Sequence, residues 1–136
     1  MKTKQYTHTI LALLTALTIS GCATSQSPKT ANNVVHPDNL TPAYLENVKA
    51  GGTVAICSGQ PVPSGWVVVS WSNSMSCPGW TPGGMNVMNI KRPGQQETVC
   101  SGSPVPNGYV VVDTANSMSC PGWTPGGENQ KIIRRL

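Results

Sequence analysis

The chain contains no phenylalanine, only two histidines, and charged side chains at just 10% of its 136 positions. Each shortage removes a class of function or architecture. With no Phe and aromatics at only 5%, a small core has few large anchors, so burial alone leaves the body marginal. Some further fastening is required. Sparse charge builds no basic groove, which excludes a nucleic-acid partner. The formal charge of +4 shrinks to about +2 once Lys2 and Lys4 of the amino-terminal leader are set aside. His8 and His36 both precede the repeated part of the chain, so no imidazole stands ready to activate a serine or a thiol there. The carboxylates of that part are Glu97, Asp113 and Glu128, whose spacing suggests no acid–base pair. No enzyme activity, cofactor or metal is expected.

What the sequence does have is turn chemistry and repetition. It holds 14 Gly and 12 Pro, the composition of a turn-rich scaffold rather than a helical bundle. Residues 57–84 read CSGQPVPSGWVVVSWSNSMSCPGWTPGG, and residues 100–127 read CSGSPVPNGYVVVDTANSMSCPGWTPGG. The copies align without a gap at an offset of 43 residues, with 22 of 28 positions identical. One structural unit is therefore used twice, over residues 52–93 and 94–136.

Each unit reads as three strands. The first copy places them at 53–57, 65–71 and 85–91, the second at 97–100, 108–114 and 128–135. Between the first two strands of each lies P-V-P-x-G, a turn whose prolines cannot donate to a ladder and whose glycine accepts positive φ. Alternation in the middle strand puts Val67 and Val69 on one face, matched by Val110 and Val112. The other face carries Trp66, Val68 and Ser70, matched by Tyr109, Val111 and Asp113. The all-valine face is assigned to the core, joined by Ile90 and Ile133, because Asp113 would be costly to bury unpaired. The basic pairs Lys91–Arg92 and Arg134–Arg135 recur at the repeat spacing and are read as solvated strand edges that discourage pairing. The fold class is all-β: two three-stranded units, packed face to face or joined as one closed six-stranded sheet.

Four cysteines fall in two matched pairs, each separated by 20 residues. Zinc is excluded by this spacing, since no two lie within the two to four residues of a zinc knuckle. Of three connectivities, Cys57 with Cys77 and Cys100 with Cys120 is expected, because a duplicated unit most simply keeps its crosslink internal. Each bond would supply about 3 kcal/mol through the entropy of the unfolded chain. The loop SMSCPGWTPGG is identical at 74–84 and 117–127. Trp80 and Trp123 stand in it within a rigid frame able to display an indole to a sugar, a peptide or a protein. A core short of aromatics instead leads us to expect each indole to fold back as a lid. Trp66 and Tyr109 are further candidate binding residues.

The fifth cysteine belongs to the leader. Lys2 and Lys4 form a positive start and residues 10–19 an apolar run too short to span a bilayer comfortably. The run ends in Ile19-Ser20-Gly21-Cys22, which resembles the lipobox of bacterial lipoproteins. The resemblance covers residues 1–22 alone. It implies cleavage after residue 21, acylation of Cys22 and a membrane held through the lipid anchor; Ala23, where Asp favours inner-membrane retention, implies the outer membrane. Residues 23–39, polar and aperiodic, read as a flexible tether. A short helix should follow, with Thr41 as cap, Pro42 at its first position and Gly51–Gly52 as its end. The functional expectation is a lipid-anchored envelope protein that binds an envelope protein or glycan. The alternative is a small inhibitor of a periplasmic or host hydrolase, with the P-V-P turn as its wedge.

Overall fold

Apolar residues at alternate positions make the first strand: Val54 and Ile56 are buried while Thr53 is exposed. This is β1, Thr53–Cys57, in a computed structural model that describes residues 34–136. Cys22, the leader and the expected tether up to residue 33 lie outside the described residues. Ahead of β1 come a 3-10 turn, Pro37–Asn39, and a helix, α1, Pro42–Asn47. After it come β2 (Val67–Ser72), β3 (Val87–Lys91), β4 (Gln96–Cys100), β5 (Tyr109–Ala115) and β6 (Gln130–Arg135). The strands form two antiparallel sheets, ordered β1-β3-β2 and β4-β6-β5. The all-β expectation of one three-stranded unit per repeat therefore holds, and the sheets stay distinct rather than closing into one. No described helix is long and apolar enough to cross a membrane.

Both disulfides are internal to their units, Cys57–Cys77 and Cys100–Cys120. In each unit the P-V-P-x-G segment closes a turn, with Trp66 N–H donating to Pro63 O at 3.0 Å and Tyr109 N–H to Pro106 O at 3.2 Å. Gly65 and Gly108 take φ of 79° and 83° there, which a side chain would strain.

The amino-terminal segment is less free than a tether to residue 39 would be. Val35 N–H donates to Ala55 O at 2.8 Å, so residue 35 already lies along the open edge of β1. Thr41 Oγ1 accepts from Tyr44 N–H at 3.2 Å and caps α1. The helix then presents Leu45, with Tyr44 and Val48 beside it, to a core made of Val54, Ile56, Trp66, Val68, Met88 and Ile90, which Cys100 and Cys120 of the second unit also join.

The two units meet head to tail. The face of the first sheet opposite α1 carries Val67, which packs on Val99 and Ile133 of the second sheet. Those two residues sit on the face that corresponds to the α1-covered face of the first unit, since Ile133 is the counterpart of Ile90 and Val99 of Ile56. Lys91 reaches across the same junction to Glu97 at 2.8 Å. The open edge of β2 is covered by the second unit as well: Val68 N–H donates to Ser103 Oγ at 2.8 Å and Trp71 N–H to Ser119 O at 2.7 Å.

This arrangement overturns the assignment of one valine face to a shared core. Val67 is fully buried, but Val110 and Val112 of β5 are 37% and 41% exposed. Face-to-face packing would have buried all four valines; head-to-tail packing buries unlike faces and leaves the last one open. The other face of β2 is buried too, through Trp66 and Val68 beneath α1. A bulge at residues 68–70, repeated at 111–113, also breaks simple alternation, so Val68 and Trp71 stand on the same face. Nor do the basic pairs mark edges: β3 and β6 are the central strands. Arg92 lies 5.5 Å from the centre of the Trp66 ring and donates to Leu45 O, whereas Arg134 and Arg135 are exposed.

Counterpart valines should therefore differ in their effect on stability. Val67→Ala is expected to lower it by about 2 kcal/mol, and Val110→Ala by less than about 0.5 kcal/mol, as read by thermal or denaturant unfolding.

Candidate binding loops

The two identical loops owe their shape to a side chain just beyond the aligned block. Asn86 and Asn129 are each 3% exposed and lie 43 residues apart, like all counterparts. Asn86 Oδ1 accepts from Ser74 N–H at 2.9 Å, while its Nδ2 donates to Ser74 O at 2.9 Å and Cys77 O at 3.0 Å, with Pro78 O at 3.3 Å. Asn129 repeats the pattern with Ser117 N–H, Ser117 O, Cys120 O and Pro121 O. A single amide thus satisfies a row of backbone groups in a loop that has no ladder.

A second asparagine closes the far side of each loop. Asn73 Nδ2 donates to Thr81 O at 2.6 Å, and Asn116 Nδ2 to Thr124 O at 2.7 Å. Thr81 O also accepts from Gly84 N–H and Thr124 O from Gly127 N–H. In both copies a Cβ on that glycine would collide with the threonine hydroxyl, which is why the sequence ends in Gly-Gly. With the disulfide at its base, each loop is held at three places: the sulfur bridge, the buried asparagine and the threonine turn.

What these frames present is apolar. Trp80 and Trp123 are each 40% exposed, and neither belongs to a core cluster. The expectation that each indole folds back as a lid is thereby corrected: Trp66, buried at 3%, supplies the large aromatic of the core instead. Met75 and Met118, in the same loops, are 78% and 67% exposed. Trp66, as a core residue, is withdrawn as a contact residue. Tyr109 is half-buried, its hydroxyl donating to Gly94 O at 2.8 Å with Pro93 O at 3.0 Å, so it secures the linker between units.

The loops differ in support. Ser119 O of the second accepts from Trp71 N–H of β2, whereas no such contact ties the first loop to the second unit among the described residues. The two P-V-P turns line one shallow recess of about 330 Å³, with Val62, Pro63, Val105 and Pro106 among its walls. Among the described residues no cluster of His, Cys, Asp or Glu could hold a metal ion. Glu97 is paired with Lys91, Asp113 accepts from Thr114 N–H, and Glu128 is exposed.

No protein-family model, curated protein or solved structure matches this chain. The function must be argued from the loops themselves.

Sequence reasoning missed Asn86 and Asn129, although a signal was present. Met85 and Glu128 differ between the copies, yet the next residue is Asn in both. Asn86→Ala is expected to lower stability by about 1–3 kcal/mol by orphaning buried backbone groups. Asn86→Asp should cost more at neutral pH, because a carboxylate would face three carbonyl oxygens; thermal melting of the two variants checks the order.

Proposed function

We propose that the chain is a lipid-anchored protein of the bacterial envelope, non-catalytic, that holds a partner protein through its two tryptophan loops. Supporting the anchor is the lipobox sequence ending at Cys22, with Ala23 favouring the outer membrane. One observation carries the binding reading: two identical, rigidly braced loops each leave an indole 40% exposed outside the core. Holding so much apolar surface in water is unfavourable unless something covers it. Bracing by the disulfide and Asn86 or Asn129 means that little conformational freedom is lost on contact, which favours affinity. Trp and Met are both enriched where proteins touch, and the loops offer no carboxylate to grip sugar hydroxyls. A protein partner is thus favoured over a glycan.

Two units give two such contacts on one body. If both engage the same partner, the second contact becomes intramolecular and strengthens the first. Duplication then has a use that a single copy lacks.

Two measurements test this reading. Cys22→Ser should move the protein from the membrane fraction to the soluble fraction, and an unchanged distribution would remove the anchor. Trp80→Ala and Trp123→Ala should each weaken capture of a crosslinked envelope partner by about 30-fold, the loss expected of a central interface tryptophan. Melting temperature should barely change. Capture equal to wild type in the double variant would refute the loops as the contact surface, and recovery of glycan strands alone would replace the protein partner.

A further inference from the structure

The head-to-tail junction leaves the molecule with two unlike ends. At the amino end the counterpart of the junction is closed: Val35 lies on the open edge of β1, and α1 covers the adjoining face. At the carboxyl end none of the described residues closes it. β5 is the outer strand of its sheet, and Val110, Val111 and Val112 are 37%, 49% and 41% exposed. Their counterparts in β2 are buried or half-buried: Val67, with Val69 beside it, packs on Val99 and Ile133 of the second unit, and Val68 lies in the cluster that Leu45 of α1 shares with Cys100 and Cys120 of the second unit. Val68 N–H meets Ser103 Oγ there, while among the described residues nothing outside its own sheet accepts from the corresponding Val111 N–H.

We propose that β5 is a homodimer interface, pairing antiparallel with β5 of a second copy of this chain across a two-fold axis at Val111. A second copy cannot add head to tail, because the surface that would receive β5 is already occupied by residue 35 and α1 of that copy. Self-pairing is the arrangement that remains open to two such chains, and it forms a closed pair rather than a filament.

The register follows from the strand. Val68 N–H points away from β3, so Val111 N–H points away from β6 and toward the partner. Placing Val111 opposite its own copy lets the two residues exchange both N–H···O=C bonds. Val110 then faces the Val112–Asp113 bulge of the other chain, and six valines meet along the seam.

Charge favours the same register. Asp113 and Arg134 lie on one face of the sheet, because Val110 pairs with Arg134 and Asp113 with Ile132. In the dimer, Asp113 of one chain lies opposite Val110 of the other, one further strand from that chain's Arg134. The gap of roughly two strand spacings, about 9.6 Å, is within reach of a long arginine side chain. The two-fold axis makes this contact twice. Asp113 also accepts from Thr114 N–H at 2.8 Å, closing the position through which Trp71 of β2 engages the second unit. It therefore limits the pairing to the centre of the strand and blocks a longer ladder. The dimer displays four tryptophan loops instead of two, a consequence that rests on the function proposed above; the pairing itself does not.

The test uses the full chain in detergent with a photoreactive benzoylphenylalanine at Val112. Irradiation should yield an adduct of twice the chain mass, in which peptides covering residues 109–115 are joined to each other. Asp113→Arg alone and Arg134→Asp alone should each cut the adduct about tenfold through like-charge contact, and the double reversal should restore it. Both residues are exposed, and melting curves establish that the variants fold. If a single reversal fails to fold, the wild-type adduct and its joined peptides decide. Absence of a double-mass adduct, an adduct joining residue 112 to another protein or to the tryptophan loops, or single reversals with wild-type yield would each overturn the proposal.

Discussion

The open edge of β2 governs the rest of the molecule. A three-stranded sheet leaves two edges and two faces to be covered, and unpaired N–H groups at an edge invite aggregation. In the first unit the second unit does this work, supplying Ser103 Oγ to Val68 N–H and Ser119 O to Trp71 N–H. Val67 packs beneath on Val99 and Ile133, and Lys91 pairs with Glu97 at the margin. Because the acceptors come from two loops of the next unit, after β4 and after β5, the copies cannot be related by a two-fold axis. One unit offers its β2 side and the other its β4 side, so near-identical sequences occupy different surroundings.

The positions at which the copies differ record that inequality. Gln60 becomes Ser103, small enough to sit at the junction and accept from Val68. Val54, buried under α1, becomes Glu97, which meets Lys91 instead. Trp66, packed between α1 and Arg92, becomes Tyr109, whose hydroxyl fastens the linker. Ser70 and Ser72 accept from Asn89 Nδ2 in the first sheet; in the second, Asp113, Ala115 and Ile132 take these places, and the carboxylate turns to Thr114 N–H. Nothing in the structure explains Ser64 against Asn107. The loops, by contrast, are identical because their bracing is local: a disulfide, two asparagines and a threonine turn, all within one unit.

Local features were accordingly legible in the sequence and relational ones were not. The strands lie within two residues of their expected bounds, the disulfide pairing follows from repetition, and the cap at Thr41 follows from its neighbour Pro42. All three depend on short-range chemistry. Which valine faces the core depends on what lies across it, and no alternation pattern carries that information; the bulge at Val69 and Val112 further disguised it. The exposure of Trp80 and Trp123 escapes the sequence for a related reason. The absence of Phe argues for folding Trp80 and Trp123 inward and the alternation for leaving Trp66 outside, whereas Trp66, together with α1, suffices for the core. The sparing use of aromatics leaves two indoles outward in frames too stiff to fold them back.

The head-to-tail contact between units is the claim on which these readings stand, and methyl nuclear Overhauser contacts report it most directly. Val67 methyls should show cross-peaks to Val99 and Ile133 and none to Val110. Cross-peaks between Val67 and Val110 would mean that the like faces of the two units pack together, and the account of the junction would be wrong.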